Sequence, residues 1–146
     1  MEKINTLKGF LVLVIGGLGG MITNLFGGWT DDLTTLLIFM GVDFAMGLLI
    51  AAVWNNSEKS ETGALSSVSA WKGLCRKGVS LLVVLVAHRL DVTLGVNYIK
   101  TAVIIAFIAN EAISIVENLG VMGVPLPTAV IKAIDILKNR VEGDKS

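Results

Sequence analysis

The chain has 146 residues, twelve basic and twelve acidic, so its formal net charge is zero; 53% of residues are hydrophobic and only 16% are charged. Soluble domains carry roughly 25% charged residues, and with a mean hydropathy of +0.75 the composition reads as a small integral membrane protein. It excludes a global basic field for nucleic acid and leaves no room for a separate soluble catalytic domain. The single cysteine, Cys75, excludes an internal disulfide or a Cys-cluster metal site.

The first predicted span is Leu7 to Phe26, uncharged apart from Lys8 and rich in glycine. In a water-exposed helix Gly16, Gly17, Gly19 and Gly20 would each cost about 1 kcal/mol relative to alanine. In a bilayer they let a second backbone approach, and Gly16-x-x-x-Gly20 has small-xxx-small spacing. Lys3 and Lys8 ahead of Phe10–Leu18 have the look of a signal peptide. No Ala-x-Ala cleavage site follows, the first alanine being Ala45, so the segment is expected to remain as a span. The glycine run follows no strand and is not a phosphate cradle.

A short turn, Gly27-Gly28-Trp29-Thr30-Asp31-Asp32, leads to the second predicted span, Leu33 to Trp54. Its 22 residues make a helix of roughly 33 Å, against a hydrocarbon core of about 30 Å. Near its centre stands one carboxylate, Asp43, which costs about 2.5–3.5 kcal/mol on insertion scales. A chain that keeps it there uses it to pair helices or to line a polar path. Gly41 and Ala45, and Gly47 and Ala51, repeat the small-residue spacing and are candidate packing positions.

Asn55 to Gly78 is the longest polar segment, with Lys59, Lys72, Arg76 and Lys77 beside Glu58 and Glu61. It is expected to be a loop leading into a short interfacial helix near Trp71, with Cys75 on the cytoplasmic side. Residues 79–96 form the weakest predicted span, just long enough to cross, and 98–119 the last. A re-entrant hairpin over Val79–Leu119 stays open as an alternative. Val124-Pro125-Leu126-Pro127 ends the last helix. In the tail, residues 128–141, Val130, Ile134, Leu137 and Val141 form a stripe with Lys132, Lys138 and Arg140 off it. This predicts a basic amphipathic helix on a membrane surface, or alternatively a helix that binds a soluble partner.

Lysine and arginine are absent from the first turn and frequent near the N-terminus, in the long loop and in the tail. Four spans with both termini cytoplasmic fit this best, the third turn with Arg89 and Lys100 being the weak point. The expected architecture is therefore an all-α integral membrane protein: one membrane domain over 1–146, a bundle of about four transmembrane helices (7–26, 33–54, 79–96, 98–119) and an amphipathic C-terminal helix.

On the last span Glu111, Ser114 and Asn118 share one face, flanked by Asn110 and Glu117. Such a face meets another helix, a subunit or water, not lipid. Arg89 is the obvious internal counter-ion for Asp43 or Glu111, a lysine being the alternative, and Asp91 follows it closely. These residues either hold the bundle together or line a pore or gate; residue chemistry weighs the two equally. His88 is expected to be a hydrogen-bonded anchor near the interface. There is no His-Glu-x-x-His, Walker lysine loop or nucleophile elbow, so no enzyme, cofactor or metal is expected.

Across nearly its whole length the chain resembles the toxin-secretion/phage-lysis holin family. The resemblance is carried by Asp43-x-x-x-Gly47-x-x-x-Ala51, then Gly63-Ala64-Leu65-Ser66-Ser67 before Lys72-Gly73 and Lys77. It continues through Leu90-Asp91, Asn110-Glu111-x-x-Ser114-x-x-Glu117-Asn118 and Gly123-Val124-Pro125-Leu126-Pro127. Phe44 and Met46 stand where members commonly have Tyr or Leu, and Thr. The resemblance implies a phage or prophage protein of the bacterial inner membrane that oligomerises into lesions and releases an endolysin or a toxin. Its partners would be further copies of itself and the bilayer. A non-conducting scaffold or antiholin-like regulator is the alternative. A small-solute transporter is disfavoured, because no internal inverted repeat is visible.

Overall fold

Glycine and aspartate set the ends of the helices. After α1 (Glu2–Leu25), the N–H of Gly28 bonds the carbonyl of Thr23 and that of Gly27 the carbonyl of Asn24, a Schellman closure with Gly27 at φ +73°. Asp31 and Asp32 then occupy the first turn of α2 (Asp31–Leu49), where carboxylates complement the helix dipole. A π-helical stretch, Ile50–Trp54, continues α2. Next come α3 (Ser67–Leu94), α4 (Ile99–Val121) and α5 (Thr128–Gly143). The computed structural model describes residues 2–54 and 67–143. Glu58, Lys59, Glu61 and the Gly63–Ser66 part of the family signature lie outside the described residues.

Three stretches, Asn5–Leu25, Asp31–Val53 and Ile99–Val121, are helices long and apolar enough to cross a membrane. The third helix departs from expectation. Residues up to Gly78 were expected to be a loop and a short interfacial helix, but α3 runs unbroken from Ser67 to Leu94. Ser69, Gly73, Lys77 and Ser80 recur at three- and four-residue spacing, so one continuous helix turns them all to the same side. Cys75 is accordingly an exposed residue of α3, two positions before Lys77, and not part of a loop.

α2 and α4 make the most extensive interface, and α3 packs chiefly on α4. Contacts between residue levels fix the directions. Lys100 at the start of α4 reaches the carbonyl of Phe26, just before α2, while Asp43 meets Ser114 and Asn118 further along, so α2 and α4 run parallel. Lys77 of α3 meets Glu111, whereas Asp91 meets Ile99 and Lys100, so α3 runs antiparallel to both. Leu33, Leu36, Met40, Val84 and Ile104 form the core, with Phe26, Leu81, Val103 and Phe107 packed around it. α5 folds back on α4, and its Ile134 is buried.

α1 stands apart. Among the described residues none of its apolar side chains from Asn5 to Leu25 is buried, and an added Cβ at Gly16, Gly17, Gly19 or Gly20 would meet nothing within 4 Å.

The turn after α1 is held by α3. A Cβ on Gly27 would overlap the imidazole of His88, whereas Gly28, at φ +99°, faces open space. Left-handed backbone alone costs a residue with a side chain about 1–2 kcal/mol. Gly27→Ala should therefore destabilise the protein in detergent more than Gly28→Ala does, and adding His88→Ala should recover part of that difference. Unfolding by added SDS, followed by circular dichroism, measures all three.

Candidate functional site

Asp43, at the middle of α2, is only 4% exposed, and Glu111, at the middle of α4, 7%. Lys77 of α3 reaches between them: its Nζ lies 2.9 Å from Asp43 Oδ2 and also donates to Glu111 Oε2. The other oxygen of Asp43 accepts from Ser114 Oγ and, at 2.9 Å, from Asn118 Nδ2. Glu111, Ser114 and Asn118 come from one face of α4, as i, i+3 and i+7 spacing requires. One lysine and two carboxylates leave a net negative charge of one, spread over hydrogen bonds from three donors. Buried carboxylates of this kind persist only when their oxygens are satisfied.

A crevice of about 480 Å³ opens beside this cluster. Its floor is Asp43, Lys77, Glu111 and Ser114; Ser69, Lys72, Gly73, Arg76 and Ser80 of α3 form one wall, and Asn110 stands at its edge. On the other side of the cluster lies the apolar core. The polar lining thus lies on one side of the cluster and the apolar core on the other, with Ile50 and Ala51 also buried beyond Asp43.

The remaining predicted residues fall elsewhere. Arg89, expected as the counter-ion, is exposed on α3. It stands twelve residues beyond Lys77, roughly 18 Å along the helix, and because α3 is antiparallel this brings it level with the start of α4. Lys77 takes the place expected for it. Asp91 is buried, and its two oxygens accept the N–H groups of Ile99 and Lys100 at 2.9 Å each. It therefore closes the N-terminus of α4 from a neighbouring helix. Glu117 is exposed. Among the small residues, Gly41 and Ala45 are exposed on α2, Gly47 is half-buried and Ala51 is buried.

Two functional positions were missed in the sequence. Lys77 was read as loop charge, although its spacing from Ser69, Gly73 and Ser80 was the available signal. Lys100 was counted as a charge in the third turn, but it is buried with its Nζ 3.1 Å from the Phe26 carbonyl, tying α4 to the end of α1. No local pattern announces that contact, which spans 74 positions.

Residues 20–139 match the model of the bacteriophage holin family. A protein of Bacillus phage phi105 described as a probable holin is 34% identical over 73% of this chain and 74% of its own length. The chain belongs to the bacteriophage holin family. Also similar are an uncharacterised protein of Halalkalibacterium halodurans, 36% identical over 88% of this chain and 91% of its own, and an uncharacterised 14.9 kDa protein encoded in the nagH 3′ region of Clostridium perfringens, 34% identical over 86% and 91%. No solved structure matches the chain.

Breaking a buried ion pair from one side strands the remaining charge, at about 3–5 kcal/mol, whereas removing both partners is often close to neutral. Lys77→Met should accordingly be strongly destabilising in detergent. The triple variant Asp43→Asn, Lys77→Met, Glu111→Gln should recover most of the loss. SDS unfolding of the two variants beside the parent distinguishes this from a simple packing defect, which the triple variant would not repair.

Proposed function

We propose that this holin-family protein crosses the bacterial inner membrane four times with both termini cytoplasmic, self-associates, and permeabilises the membrane so that an endolysin or toxin is released. The observation that carries the reading is α1, an apolar helix long enough to cross a bilayer, where a Cβ added at Gly16, Gly17, Gly19 or Gly20 would meet nothing within 4 Å among the described residues. In lipid such a face gains from close backbone packing, and a second copy supplies it. Gly41 and Ala45 offer a further outward small-residue face on α2.

The fourth span in this reading is α3. Its Lys77 is level with the middles of α2 and α4, so α3 traverses the depth they do, and this mid-depth charge is compensated by Asp43 and Glu111. The orientation gains from Lys100, whose charge points into the protein and ceases to count as a basic loop residue. α5, a basic helix after the proline turn, lies on the cytoplasmic surface in the same arrangement. The core of one copy is closed by Leu36, Val84 and Ile104, so a lesion arises between copies. For the polar face of Asp43, Glu111, Ser114 and Asn118, with Asn110 and Glu117 at its edge, to serve as lining or gate in an oligomer, α3 must first leave α2 and α4, because within one copy Lys77 covers both acids. That same closed core is what an antiholin-like regulator needs, and this is the second reading.

Induced expression should collapse the membrane potential abruptly after a delay, and a co-expressed wall hydrolase should then lyse the cells. Gly16→Leu with Gly20→Leu should delay or abolish the collapse while membrane insertion, followed by fractionation, stays at the parental level. Accumulation to high density with the potential and hydrolase release unchanged would select the regulator.

A further inference from the structure

We propose that the crevice between α2, α3 and α4 binds the phosphodiester of an anionic phospholipid between Lys72 and Arg76. The two cations stand four residues apart on one face of α3, flanked by Ser69 and by Ser80, whose hydroxyl donates to the Arg76 carbonyl. Gly73 leaves the wall between them open, since a Cβ there would meet only the Phe44 ring, at 3.9 Å. The charge of Lys77 is taken up by Asp43 and Glu111. Among the described residues neither Lys72 nor Arg76 has a carboxylate partner. The crevice lining holds three cations and two carboxylates; Lys72 and Arg76 are exposed along its wall, so the lining as a whole carries one surplus positive charge. A phosphodiester carries a single negative charge and balances it; an orthophosphate dianion would overshoot. Arginine suits phosphate oxygens because its guanidinium donates in pairs, and a volume of about 480 Å³ lies within the roughly 300–1,000 Å³ of small-ligand pockets. Basic pockets between membrane helices on the cytoplasmic side take lipid headgroups in this way.

The site rests on the reading that α3 crosses the bilayer. Lys72 is five residues from the mid-depth Lys77, roughly 7.5 Å along the axis, so a captured headgroup sits below the level of its neighbours and the leaflet is thinned beside the protein. Binding can be tested without any permeabilisation, which keeps failure here separate from failure of the holin reading. The purified protein in neutral detergent is titrated calorimetrically with dihexanoylphosphatidylglycerol, dihexanoylphosphatidylcholine and inorganic phosphate. Phosphatidylglycerol should bind about tenfold more tightly than phosphatidylcholine, whose phosphodiester is the same but whose quaternary ammonium brings a like charge to a crevice already positive. Lys72→Gln with Arg76→Gln should remove that preference, and Gly73→Leu should weaken binding with both cations still in place. Arg89→Gln, on the same helix away from the crevice, should leave it intact. Equal binding of the two lipids, a preference that survives the double substitution, or displacement of the lipid by inorganic phosphate at equal concentration overturns the assignment.

Discussion

One lysine between two carboxylates is the interaction on which the bundle depends. Asp43 and Glu111 sit at the centres of two apolar helices that run parallel and pack closely, where an unpartnered carboxylate is costly. Lys77 reaches both from the antiparallel α3, so the charged side of an otherwise poor membrane helix becomes the reason for its position. The cost of each group in lipid is offset only when all three helices are assembled. The cluster therefore acts as a register pin as well as a contact: sliding α3 by one residue would turn Lys77 about 100° away from both acids.

The pin also divides the interior. Beyond it toward the turns lie Leu33, Leu36, Met40, Val84 and Ile104, closely packed; on the other side the crevice is lined by serines, lysines and arginine. α3 is built in two halves to match. Its C-terminal half is aliphatic and contributes Val84 and Ala87 to the buried interior, and its N-terminal half is polar along one stripe.

The connections are as strongly determined as the core. His88 fills the space beside Gly27, Lys100 caps the carbonyl of Phe26, and Asp91 caps the start of α4. Together they tie the two turns on one face of the bundle into a single unit. By contrast α1 leaves that unit with no buried apolar side chain among the described residues.

The apolar stretches were legible in the sequence because hydropathy accumulates locally: the helices at 2–25, 31–49 and 99–121 needed only a run of residues long enough to cross a bilayer. The face of Glu111, Ser114 and Asn118 was legible for the same reason, being a matter of helical spacing within one segment, and Asp43 stood out as a lone charge among apolar neighbours. Which cation met those acids was decided by the tertiary structure. Arg89 lies in the more apolar part of α3 and looked the better partner, but the antiparallel docking of α3 carries it about 18 Å too far along the axis and puts Lys77, read as loop charge, at the right level. The capping roles of Asp91 and Lys100 and the His88–Gly27 contact were equally invisible. Each joins segments that only packing brings together, and pairing across such distances leaves no periodic trace in a single chain.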